Sequence, residues 1–154
     1  MGQDLFQGEK VLAFDLETTG VSTQEDKIVQ LALIGSAIDG TAVNYERLVN
    51  PKRSIPYDAS RIHGIYDRDV RSLQGFEAVA DEVAELIEGA ILVGHNVRKF
   101  DFAMLEKEFL RLGRLCPQPK AIMDTLEVVR RLKIPRPHNL GSLCSRHGIR
   151  LEAA

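Results

Sequence analysis

The chain has 154 residues, of which 44% are apolar and 6% aromatic, with no Trp and a net charge of −2. That length supports one domain with a real core. No apolar run can span a membrane and no charged-then-apolar start marks secretion, so a cytoplasmic, non-membrane protein is expected. Cys116 and Cys144 are far apart and read as two reduced, buried thiols.

In chain order, Met1–Glu9 has no pattern and reads as a loose lead-in. Lys10–Glu17 is the first strand, an apolar run that ends in Thr18-Thr19-Gly20, where the chain turns. Val21–Asp26 is a polar loop. Lys27–Asp39 reads as a second strand, Asp39-Gly40 as a hairpin turn and Ala42–Val49 as the return strand. Lys52–Leu73 reads as a long loop of the kind that often carries function. Gly75–Glu88 has helical spacing and is stopped by Gly89. Ala90–Gly94 is a short buried strand, His95–Lys99 a polar turn and Asp101–Leu112 a helix. Cys116–Lys120 is a loop, Ala121–Met123 a strand and Thr125–Leu132 a helix. Ile134–Pro137 breaks the pattern, and Asn139–His147 is the last helix. Three strands followed by alternating strands and helices predict a mixed α/β sheet, antiparallel first and parallel afterwards.

Charge is uneven. Residues 1–97 hold 8 Lys/Arg against 16 Asp/Glu, and residues 98–154 hold 12 against 6. An acidic first half and a basic second half suit a metal centre beside a polyanion track, although solvated helix faces give the same pattern.

Two acids interrupt the first strand. Side chains two apart on a strand share a face, so Asp15 and Glu17 point one way while Leu12, Phe14 and Leu16 point into the core. Adjacent carboxylates on a mostly buried strand repel and lose solvation, and a bound divalent cation reverses that penalty. Hard oxygen ligands suit Mg²⁺ or Mn²⁺. A carboxylate pair can also flank a glycosidic bond, but the scarcity of aromatic residues for sugar stacking argues against it. A second stretch, Gly94-His95-Asn96-Val97-Arg98-Lys99-Phe100-Asp101, runs from a buried strand into a helix. Asp101 lies at that helix start, where a carboxylate suits the dipole. Taken alone, His95 and Asn96 read as turn and capping residues.

Phe14-Asp15-Leu16-Glu17-Thr18-Thr19-Gly20 and His95-Asn96-(x)3-Phe100-Asp101 together resemble the DEDD exonucleases, specifically the DnaQ-like group that includes the proofreading epsilon subunit of bacterial replicative DNA polymerase. Leu48–Pro51, Ile62–Ile65, Leu92–Gly94, Asp124–Leu126 and Leu140–Ile149 are also similar to that family, from about Lys10 to Ile149. The resemblance implies a ribonuclease H-like five-stranded sheet flanked by helices. It implies 3′→5′ release of 5′-mononucleotides with two divalent ions, Mg²⁺ or Mn²⁺. Asp15, Glu17 and Asp101 are then the catalytic metal ligands. Leu16, Thr18, Thr19, Ile62, His63, Asn96 and Phe100 hold the terminal nucleotides. The implied substrate is a single-stranded 3′ end, DNA before RNA, and a DNA polymerase subunit is an implied partner.

Two departures stand out. Three residues, Val97-Arg98-Lys99, separate His-Asn from Phe-Asp where the group usually has two, a spacing closer to the three-prime repair exonucleases. The third motif, His-(x)4-Asp, has no match. His147-(x)4-Glu152 has its spacing, but Leu140–Ile149 matches the helix and turn that precede the motif. The chain is therefore expected to be one exonuclease domain, residues 1–154, that stops short of its C-terminal motif and helix. A metal and 3′-end binding module without cleavage, and an exoribonuclease of the same superfamily, are the alternatives.

Overall fold

A computed structural model describes residues 6–151. Its centre is a five-stranded sheet in the order β3-β2-β1-β4-β5. The strands are β1 (Val11–Thr18), β2 (Ile28–Ser36), β3 (Ala42–Leu48), β4 (Ile91–Gly94) and β5 (Ala121–Asp124). β1–β2 and β2–β3 are antiparallel, and β1–β4 and β4–β5 are parallel. The mixed sheet expected from the order of elements is the one observed. The described residues include no helix long and apolar enough to cross a membrane.

β1 occupies the middle because it can be buried on one face along its whole length. Leu12, Phe14 and Leu16 are buried, while Ala13 and Asp15 on the other face are open and Glu17 is half-buried. The inward residues join Leu31 and Leu33 of β2 and Met104, Leu105 and Phe109 of α4 (Asp101–Arg111) in the main core. Each such side chain contributes roughly 1.5–3 kcal/mol when fully buried. Phe76 meets Phe109 edge-on, with ring centres 5.2 Å apart. Gly35 lets β2 approach β1, since a methyl group there would collide with the Val11 carbonyl. Cys116 and Cys144 are free and buried. The Asp39-Gly40 turn forms, with Gly40 at φ 83° and its N–H donating to the Ala37 carbonyl.

Two expectations need correction. The segment Lys52–Leu73 is not an irregular loop but holds two short helices, α1 (Tyr57–His63) and α2 (Asp67–Val70). Pro56 opens α1 and Gly64, at φ 74°, closes it. Ile55, Ala59, Ile65 and Val70 pack with Val29 in a small second core. Seven- and four-residue helices are too short to display a clear apolar period. The second correction concerns Gly75–Glu88, which is broken into a 3₁₀ turn over Phe76–Ala78 and α3 (Ala80–Ile87). Val79, at φ −112°, lies between them. The remaining helices, α5 (Thr125–Arg131) and α6 (Leu140–Arg146), lie where the sequence puts them.

Candidate active site

β1 delivers two carboxylates to one face by strand alternation, opposite Ala32 and Gln30 of β2. A bulge between Glu17 and Thr18 then bends the strand end. Asp101, the first residue of α4, reaches the same place from the other side. It is only 5% exposed, and its Oδ1 accepts the Leu16 N–H at 3.1 Å. That bond joins the two acidic motifs across 85 residues of sequence.

The three acids form one electrostatic group. Burial, then the charge of Asp15, pushes Asp101 up to about 7. Although Asp15 stays exposed on its strand face, partial desolvation by the surrounding protein raises it above the usual carboxylate range, a hydrogen bond from the Leu16 backbone opposing it. Burial raises Glu17 as well, with Asp15 adding to it. Among the described residues no three His, Cys, Asp or Glu side chains converge into a ready metal cage. The donors nonetheless fit a hard divalent ion. All are carboxylates raised by desolvation, Glu17 and Asp101 also by the charge of Asp15, and Mg²⁺ commonly binds through one or two carboxylates, with water and substrate phosphate completing its shell.

Beside the acids lies a recess of about 410 Å³. Its walls are the strand end Leu16–Val21, then Pro56, Asp58, Ala59, Ile62 and His63 at α1, and Phe100. Ile62 is 85% exposed and Val21 88%, so two large apolar side chains stand at the rim in water. Such surfaces suit the faces of nucleic acid bases. The Ile65 N–H donates to His63 Nδ1 at 3.1 Å, which leaves Nε2 to carry the ring proton and donate to the Thr18 carbonyl at 3.2 Å. The His63 ring thereby ties α1 to the end of β1.

The loop after β1 is locked from within. Thr18 Oγ1 donates to the Gly20 carbonyl at 2.6 Å. Thr19, fully buried, donates its hydroxyl to Asp26 at 2.7 Å and accepts the Lys27 N–H at 3.1 Å. Asp26 also accepts the Ser22 N–H at 2.9 Å. A side chain at Gly20 would collide with that carboxylate.

The structure thus sets Asp15 close enough to both Glu17 and Asp101 for its charge to bear on each, and lines the recess with Leu16, Glu17, Thr18, Thr19, Ile62, His63 and Phe100. Asn96 is the exception. Its side chain is exposed and outside the recess, and its backbone turns at φ 58°. His147 lies just past α6 and is exposed. Glu152 lies outside the described residues. Sequence reasoning missed Asp26 and Asp124 as site-building residues. Asp124 had a signal, an Asp immediately before a helix, which reads as a cap. Asp26 had none, because its partners are set by the loop's three-dimensional path.

The chain matches the model of the RNase T exonuclease family over residues 12–153. It is 34% identical over 123 residues to the 3′-5′ exonuclease DinG of Bacillus subtilis, covering 79% of this chain and 13% of that protein. It is 32% identical over 145 residues to a PolC-type DNA polymerase III of Staphylococcus epidermidis, covering 91% of this chain and 10% of that one. The chain therefore spans about a tenth of the length of the curated relatives it matches. Its fold is similar to that of E. coli exonuclease I in complex with a dT13 oligonucleotide, at TM-score 0.74 and 20% identity over 92% of this chain and 36% of that one. Exonuclease X in complex with 5′ overhanging duplex DNA is also similar, at TM-score 0.65 and 24% identity over 94% and 76% of the two chains. The family match over nearly the whole sequence decides the assignment: the chain belongs to the RNase T exonuclease family.

Proposed function

We propose that this chain is a metal-dependent 3′→5′ exonuclease domain, residues 1–154, that removes 5′-mononucleotides from single-stranded DNA ends in proofreading or repair. One observation carries the reading: Glu17 lines an apolar recess with exposed large side chains on its rim, and it shares the charge of Asp15 with the buried Asp101.

In this reading Asp15, Glu17 and Asp101 hold two Mg²⁺ or Mn²⁺ ions, which when bound supply charge stabilisation to a reacting phosphodiester. The backbone of Thr18 and Thr19 positions the last nucleotide, and Ile62 and Phe100 take its base by stacking. The Thr19 hydroxyl and both His63 ring nitrogens already have protein partners, so little remains to read a base edge. Binding is therefore sequence-tolerant. Arg130, Arg131, Lys133 and Arg150 are exposed and supply positive charge for the rest of the strand. The relative named as a DNA polymerase favours a polymerase as partner.

The test is mononucleotide release from a 3′-labelled single-stranded oligonucleotide with Mn²⁺ or Mg²⁺. Activity lost in Asp15→Ala supports the reading, and no release from DNA or RNA refutes it. A second reading, a 3′-end binder that does not cut, draws on the described residues holding no match to the His-(x)4-Asp motif that supplies a water-activating base. Mn²⁺-tightened binding without turnover would favour it.

A further inference from the structure

We infer that Asp124, which lies outside both acidic motifs, is the positioning residue for Asp101. The inference rests on the exonuclease reading for its catalytic consequence, but its geometry stands independently.

Asp124 ends β5 and is 3% exposed. Its carboxylate accepts three main-chain N–H groups: Asn96 at 2.9 Å, Arg98 at 3.1 Å and Leu126 at 3.0 Å. Capping α5 accounts for the Leu126 bond alone. The other two go to the turn His95–Lys99, which carries the extra residue of the second motif. That turn is sharp, since Asn96 is a non-glycine residue at φ 58°. Such a conformation costs on the order of 1–3 kcal/mol and persists only where its surroundings over-determine it. Here the surroundings are Asp124.

The turn feeds directly into α4. Phe100 N–H donates to the Asn96 carbonyl at 3.2 Å, and Phe102 N–H to the Val97 carbonyl at 2.8 Å. Val97 is fully buried, so the segment between them is fixed on both sides of Asp101. Asp101 then accepts the Leu16 N–H. Arg98 grips the same junction a second time, its guanidinium donating to the Ile122 carbonyl at 2.9 Å and to Glu127 at 3.2 Å. Thr125 adds a further stitch, its hydroxyl donating to the Gly94 carbonyl at 3.2 Å. A continuous path thus runs from Asp124 through the turn to Asp101 and on to Leu16 of β1. A wider second-motif turn is usable because a carboxylate from the next strand spans it.

The test compares Asp124→Ala and Asp124→Asn with the wild type by amide hydrogen exchange on the metal-free chain and by steady-state cleavage with Mn²⁺. In Asp124→Ala, exchange at Asn96, Arg98 and Leu126 speeds up, and so does exchange at Leu16, by about tenfold or more. The kcat falls by about ten- to a hundredfold, as for a small misplacement of a reacting group, while KM stays within about twofold. Asp124→Asn keeps an acceptor for Asn96 and Leu126, gives intermediate values and carries the test if the alanine variant does not fold. Faster exchange at Leu126 with Leu16 and kcat unchanged makes Asp124 a helix cap only and overturns the inference. A wild type that cuts nothing refutes the exonuclease reading, and Leu16 exchange still decides the positioning role.

Discussion

The end of β1 and the start of α4 each contribute acid to one site, and they do so by opposite means. β1 places Asp15 and Glu17 by alternation alone, on a face that stays partly open to water. α4 places Asp101 in a buried position, and only after a left-handed turn, whose backbone N–H groups donate to the Asp124 carboxylate of β5, has fixed the helix start. The β1 pair needs nothing beyond strand alternation to share a face. The buried acid is oriented by the Leu16 N–H, and its desolvation carries it to about 7. A metal-dependent site needs both kinds, reachable charge to recruit a cation and a fixed ligand to set its place.

The largest test of this contrast is catalytic. Asp15→Ala and Asp101→Ala should each lower mononucleotide release by about a thousandfold or more, since either loss removes charge stabilisation that other groups do not replace. If only one of them does so, the two regions do not form one site.

The next test separates the two regions by pH. Asp101 titrates at about 7 in the folded chain against 3.8 ordinarily. The folded form therefore holds that proton more tightly than the unfolded one. Ionising Asp101 costs stability as pH rises from about 4 to about 7, and above that the loss is complete. In metal-free melts Asp101→Asn should exceed the wild type at pH 8, with the gap closing toward pH 4, at about 2–4 °C for each kcal/mol. Mn²⁺ should raise the wild-type Tm and leave the variant's nearly unchanged. A gap that widens toward low pH would falsify the desolvation account.

The smallest effect belongs to the recess. Ile62→Ala and Phe100→Ala should each raise KM several-fold, because stacking is worth about 1–3 kcal/mol per base, and leave kcat within about twofold. Ile62→Ala should leave Tm unchanged, since its side chain is exposed. An equal fall in kcat would place these residues in the chemistry rather than in binding.

The same contrast explains what could be read from the sequence. The mixed sheet, antiparallel first and parallel afterwards, was legible because it follows from local periods and the order of elements, and the acids of β1 and Asp101 were singled out by a two-part motif. α1 and α2 were not, since two short helices show little periodicity and Ile62 breaks it by pointing outward. The work of Asp26 and Asp124 was hidden because their partners are backbone N–H groups and a hydroxyl chosen by the fold. Asn96 was expected at the substrate; its left-handed backbone, which shapes the turn, shows only in three dimensions.

The locked loop after β1 has a consequence for kinetics. Thr19, Ser22 and Gly20 are seated on the Asp26 carboxylate before any ligand arrives. A strand end therefore meets a wall already in its working shape and has no closure of that segment to wait for. Its association should run as a single phase whose observed rate climbs linearly with strand concentration, without the plateau that a slow rearrangement imposes.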